Sequence, residues 1–204
     1  MDILEELKSE YNEKLLEIKK IMNDEKISYE DKRKILLNYV DENKKLFKEI
    51  RALSKEKEEK ITDVIKLIRK KYNEKTGGDA SATYTEGGCY YFPIMIKSIF
   101  PEENSQVYIS SGGVETHALI KINDNYYDIN GNIKNPIGDR LDEKPIDIKD
   151  YKEATGDDYD YFKDLCYVGR NKENMNELER ISDEISYEIC DEIMENNAEN
   201  QKVA

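Results

Sequence analysis

The stretch Thr116–Gly131, THALIKINDNYYDING, decides the fold. Two short runs rich in β-formers alternate in polarity on either side of Asn123-Asp124, which is the pattern of an antiparallel hairpin with a two-residue loop. Closing the hairpin there sets Ile122 opposite Asn125, Leu119 opposite Asp128 and His117 opposite Asn130. His117, Leu119 and Lys121 then line one face, with Asp128 and Asn130, while Ala118, Ile120 and Ile122 line the other. Directly opposite Cβ atoms stand about 5 Å apart and diagonal ones about 7 Å, so either Asp128 or Asn130 can hold the imidazole of His117. A register shift of one residue would send both to the opposite face.

Working outward, SQVYIS (105–110) reads as a further strand, and Thr76–Gly88, TGGDASATYTEGG, has the composition of a linker or an approach loop. Cys89 follows Gly87-Gly88 and opens YYFPIMIKSIF, which reads as a helix with the cysteine in its first turn. Free amides and the dipole at a helix start favour a thiolate, and an adjacent imidazolium favours it further. Because the chain has one histidine, any imidazole base or metal ligand must be His117. Pro93 falls within or just after the first turn, where it either kinks the helix or moves its start.

Residues 1–75 are built to different rules. They contain no Gly, Pro or Cys, and Leu4, Leu7, Tyr11, Leu15, Ile18 and Met22 recur at helical spacing. A second series, Ile35, Leu36, Tyr39, Leu46, Phe47, Ile50 and Leu53, does the same, and Ser28 ahead of Tyr29-Glu30-Asp31 reads as the N-cap between the two helices. The expectation is a helical hairpin or coiled-coil arm over 1–75, able to bind a protein partner or to self-associate. Ser54 to Lys60 has no apolar member and is either a solvated bridge within one long helix or a joint before Ile61, Val64, Ile65, Ile68 and Tyr72. The expected divisions are therefore the arm at 1–75, a Gly-rich linker at 76–88 and an α+β domain at 89–204. That last part includes an acidic, Tyr-rich loop over 139–161. It ends in a helix with Leu178, Ile181, Ile185, Ile189 and Ile193 on one face, fraying from about Asn196.

Apolar and charged residues each make up 38% of the chain, and the net charge is −13. The arm carries 20 basic and 18 acidic side chains, leaving 12 and 27 for residues 76–204, so the surplus negative charge lies outside the arm. That balance argues against nucleic acid or an anionic membrane surface as partner. The first residues, MDILEELKSEYNEK, lack the cationic and apolar regions of a signal peptide, and the expected location is cytoplasmic. Three widely spaced cysteines make no disulfide framework. Cys89, His117, Cys166 and Cys190 lack the paired spacing of a structural zinc site, and Asp128-x-Asn130-Gly131-Asn132 lacks the downstream glutamate of a calcium loop, so no metal or other cofactor is expected.

Gly87-Gly88-Cys89-Tyr90-Tyr91-Phe92 resembles the G-x-C-x-x-F segment of transglutaminase-like proteins. Thr116–Ile122 and Tyr126–Gly131 resemble their H-A-x-V-x-V and aromatic-x-Asp strands. The wider resemblance is to the papain-like thiol hydrolases, and it covers about residues 87–132. It implies a core in which a Cys-bearing helix packs on a small antiparallel sheet, with Cys89 as nucleophile, His117 as general base and acid, and Asp128 as orienter. Papain-like enzymes place an oxyanion-hole glutamine shortly before the cysteine. Here Thr83, Thr85 and Glu86 stand there, which leaves backbone amides, including that of Cys89, for the oxyanion.

Two functions follow as expectations. One is a cysteine-dependent hydrolase or acyl transferase acting on an amide or isopeptide bond of a protein or peptide: a peptidase, a deamidase or a transglutaminase-like enzyme. The other is a catalytically silent papain-like scaffold whose coiled-coil arm is an interaction module. Each site residue also has a plainer reading. Cys89 can be a small buried apolar residue, His117 an ordinary strand histidine, and Asp128 the acceptor of an Asx turn over Asn130-Gly131.

Overall fold

The computed structural model describes residues 3–85, 87–101, 103–110, 117–137, 146–156, 158, 162–163 and 172–203. Two compact units divide between Ile61 and Thr62, well ahead of the glycine-rich segment at which the composition places the boundary.

The first unit holds helix α1 (Ile3–Asn23) and the beginning of α2 (Tyr29–Thr76). Ser28 caps α2: its Oγ accepts from the Asp31 amide at 3.2 Å and donates to the Asp31 carboxylate at 2.6 Å. The two helices are held side by side by Tyr39 donating to Glu17 at 3.0 Å, Lys14 beside Glu42 at 3.7 Å, and Tyr11 against Phe47 with ring centroids 6.0 Å apart. Leu4 and Leu46 are buried, whereas Leu15, Leu16, Leu37 and Phe47 remain exposed. Ser54–Lys60 is part of one continuous helix of 48 residues, which removes the alternative of a joint. Across that stretch the pairs Lys55–Glu59 and Lys60–Glu56, each one turn apart, take the place of an apolar stripe.

The second unit contains the rest of α2, helices α3 (Ala80–Thr85), α4 (Tyr91–Ile99) and α5 (Lys172–Val203), and one sheet. Its strands are β1 (Ser105–Ser110), β2 (Ala118–Ile122), β3 (Asn125–Asp128), β4 (Gly131–Asn132), β5 (Asn135–Pro136) and β6 (Tyr151–Glu153). They lie in the order β5-β4-β3-β2-β1-β6 with every pair antiparallel. The class is α+β.

Helix α2 ends where Gly77 takes φ +67 and its amide reaches back to the Asn73 carbonyl at 2.9 Å, the left-handed exit that glycine makes cheaply. The segment expected as a linker then folds again as α3, because Ala80 and Tyr84 find buried positions in the second unit. The acidic loop likewise holds structure: a single 3-10 turn at Ile148–Asp150, then β6, which pairs with β1. Asp157, Tyr159, Asp160 and Tyr161 lie outside the described residues, as do Glu86, Thr116 and Cys166. Helix α5 continues to Val203, past the fraying point at Asn196 that the sequence suggests.

The core is assembled from Ile65, Ile68 and Tyr72 of α2, Tyr84 of α3, and Phe92, Met95 and Ile96 of α4. Leu119, Ile120, Ile122, Tyr127 and Ile129 join them from the sheet region, and Ile185 and Ile189 from α5. Fully burying each such side chain stabilises by about 1.5–3 kcal/mol before entropy is counted. Helix α4 packs against both β2 and α5.

Candidate active site

The hairpin closes in the register its sequence dictates, with Ile122 opposite Asn125, Lys121 opposite Tyr126 and Ile120 opposite Tyr127. Asn123 carries the turn at φ +54, a conformation asparagine tolerates better than most residues. His117 extends the β1–β2 ladder by one step: its carbonyl accepts from the Ser110 amide at 3.0 Å, and its amide donates to the Ser110 hydroxyl at 3.2 Å. The imidazole is thus mounted on a fixed backbone.

On that mount His117 Nε2 lies 3.2 Å from Asp128 Oδ2. The carboxylate is 1% exposed and the imidazole 15%. Asp128 Oδ1 accepts the Asn130 amide at 2.8 Å. The orienter and the Asx turn are therefore not competing readings, since each uses a different oxygen of the same carboxylate. A neutral ring that donates from Nε2 to this carboxylate presents Nδ1 as its basic nitrogen. The Tyr151 ring stands edge-on to the imidazole with centroids 6.4 Å apart.

Asn130, the alternative orienter, points its side chain elsewhere. Its Oδ1 accepts from Ser81 Oγ at 2.5 Å and from Arg69 Nη1 at 3.5 Å, which ties the turn after β3 to helices α3 and α2.

Cys89 is completely buried and lies in the turn ahead of α4, not in its first turn. The Tyr91 amide donates to the Gly88 carbonyl at 3.0 Å, a tight turn that closes over Cys89 and Tyr90 before the regular helix begins. Pro93 is the third residue of α4, where a helix has no acceptor for its amide, so the helix starts cleanly despite it. Gly88 is required by space: a Cβ there would stand 2.6 Å from the Thr83 carbonyl oxygen and 2.8 Å from Leu178 Cδ2. Thr83 and Leu178 also line a cavity of about 280 Å³ with Tyr72, Met175 and Ile181. The hydroxyls of Thr83 and Thr85 are engaged locally, the first with Tyr72 OH at 3.1 Å and the second donating to the Ser81 carbonyl at 2.8 Å. Cys190, on α5, donates its thiol to the Ser98 carbonyl at 3.8 Å.

The structure thus joins His117 to Asp128 directly, ties Asn130 to Asp128 through the backbone, and places Cys89 in the turn that leads into α4, the helix packed against the strand that follows His117. Ser110, Tyr151, Ser81 and Arg69 were not marked by the sequence. Only the strand character of 105–110 hinted at the first of them. Among the described residues no group of three or more His, Cys, Asp or Glu side chains could hold a metal ion, and no helix is long and apolar enough to cross a membrane.

A family model described as Phage YunG-like protein matches residues 64–179. The chain belongs to the phage YunG-like family. The matched segment opens within α2, ends within α5 and contains Cys89, His117 and Asp128, so the match lies within the second unit. No curated protein and no solved structure matches the chain.

Proposed function

We propose that this phage YunG-like protein is a cysteine-dependent hydrolase or acyl transferase acting on an amide or isopeptide bond of a protein or peptide, on a papain-like or transglutaminase-like core. The observation that carries the reading is the buried Asp128 carboxylate 3.2 Å from Nε2 of the single histidine, an arrangement that leaves Nδ1 to act as base. In the proposed reaction Nδ1 takes the thiol proton of Cys89 and the thiolate attacks the carbonyl carbon. The C–N bond then breaks as the imidazolium returns the proton to the departing amine. Water or a second amine cleaves the thioester, with the same imidazole removing its proton. Backbone amides, including that of Cys89, would hold the oxyanion, and the cavity beside Gly88 offers space for a substrate side chain.

A second reading, a silent scaffold whose helical hairpin binds a partner, is favoured by the complete burial of Cys89 and by the exposed Leu16, Leu37 and Phe47 of the first unit. Limiting haloacetamide at neutral pH separates the two. Under the enzyme reading Cys89 is alkylated ahead of Cys190 and Cys166, and His117→Ala removes that preference. A Cys89 that reacts no faster than the other two thiols sinks the enzyme reading and leaves the scaffold.

A further inference from the structure

We infer that Ser81, assisted by Arg69, is a positioning residue for His117 that acts through Asn130 and Asp128. This rests on the thiol-enzyme reading above and extends its machinery to side chains on α3 and α2, helices that carry neither Cys89 nor His117 nor Asp128.

The relay is continuous. Ser81 is itself held, because its amide donates to Asp79 Oδ1 at 2.9 Å at the start of α3. Its hydroxyl donates to Asn130 Oδ1 at 2.5 Å, and Arg69 Nη1 adds a longer contact to the same oxygen at 3.5 Å. Asn130 is 6% exposed, so its side-chain carbonyl depends on these two donors in place of water. Its backbone amide donates to Asp128 Oδ1 at 2.8 Å, and Asp128 Oδ2 meets His117 Nε2 at 3.2 Å.

Every link removes one freedom from the next. A carboxylate rotates readily about its terminal bond. With Oδ1 pinned by an amide, the position of Oδ2 is set, and with it the tilt of the imidazole. That amide stays in place only while the turn at 129–130 does, and the turn is tethered by the Asn130 side chain to two helices. Such outer partners fix tautomer and orientation without touching the reacting atoms.

The single histidine makes the test direct, because ¹⁵N-histidine labelling gives one imidazole signal set. Wherever the wild-type ring is neutral, a single tautomer is expected, protonated at Nε2. Ser81→Ala should give a mixture of tautomers and slow the alkylation of Cys89 about tenfold at neutral pH, while Ser81→Thr, which keeps the hydroxyl, should restore both. A single Nε2–H tautomer and an unchanged rate in Ser81→Ala overturn the inference. So does loss of both readouts in Ser81→Ala without recovery in Ser81→Thr, which marks a merely structural role. If Ser81→Ala does not fold, Arg69→Leu carries the same two readouts with the shift expected in the same direction, and no shift there overturns the inference. The outcomes also separate it from the reaction assignment: a Cys89 that never outpaces the other thiols removes the enzyme, whereas the tautomer of His117 reports positioning with or without it.

Discussion

Tyr84 and Ser182 share a hydrogen bond of 2.8 Å with both residues buried, 1% and 2% exposed. It fastens α3, the element that delivers the chain to Gly88 and Cys89, onto α5. Burial pushes the Tyr84 phenol above the ordinary tyrosine range, opposed in part by the hydrogen bond to Ser182.

The sign of the linkage follows. The folded protein keeps the Tyr84 proton to higher pH than the unfolded chain does, so stability is intact below about pH 10 and falls as pH rises beyond it. Tyr84→Phe should cost about 1 kcal/mol at neutral pH, because Ser182 retains the Leu178 carbonyl as acceptor at 2.7 Å. The variant should also lose less stability than the wild type between neutral and strongly alkaline pH. Denaturant unfolding at several pH values measures both, and parallel pH profiles would contradict this account.

Gly88→Ala should destabilise by about 1–3 kcal/mol, since its Cβ meets the backbone oxygen of Thr83, which cannot swing aside as a side chain can. Gly77→Ala is the comparison: nothing lies within 4 Å of its Cβ, and only the φ of +67 opposes it, at about 1 kcal/mol. Urea midpoints rank the pair, and Gly77→Ala proving the worse would refute the steric argument.

Lys71 bridges Glu188 at 3.1 Å and Glu192 at 2.6 Å, and Lys75 reaches Glu188 at 2.6 Å, so α2 and α5 are clipped together by a small ionic ladder. The Lys75 ammonium, and then that of Lys71, holds the Glu188 carboxyl below its usual range. A depressed carboxyl contributes stability above its unfolded value, near pH 4.3, that is lost as the pH falls through the folded value. Thermal scans of Glu188→Gln should therefore be lower than wild type at pH 6 and converge on it near pH 3, and about 1 M salt should narrow the gap at pH 6. A gap that persists in acid would mean the residue acts by packing alone.

In the first unit Asn43 Oδ1 is buried without a hydrogen-bond partner among the described residues. Leaving such an atom dry costs about 1–3 kcal/mol, so Asn43→Leu should raise the unfolding temperature by melting followed in circular dichroism. A lower melting temperature would show that the amide is satisfied in solution.

What the sequence disclosed depended on how local each cause was. The hairpin register was legible because a two-residue turn and alternating polarity set Ile122 opposite Asn125, although that register by itself left both Asp128 and Asn130 within reach of His117. Ser28 was legible because a cap acts within three residues. Helix α3 was not, since Tyr84 is buried by contacts that arrive from α5 and α2. The small strands β4, β5 and β6 were also hidden, being too short to show a period. Asn130 stood out as a candidate, but its partners Ser81 and Arg69 lie 49 and 61 residues away, a distance no spacing rule covers.

Cys89 has no solvent-exposed surface at all. A thiol so enclosed is sorted by size before it is sorted by chemistry. Reagents reach it in proportion to how often the surrounding turn and helix part, so its modification rate across a series of probes of equal reactivity and growing bulk would act as a ruler for those openings. The fold itself is then the sieve, and any molecule that gains the sulfur must either be slender or bring enough binding energy to hold the gap apart.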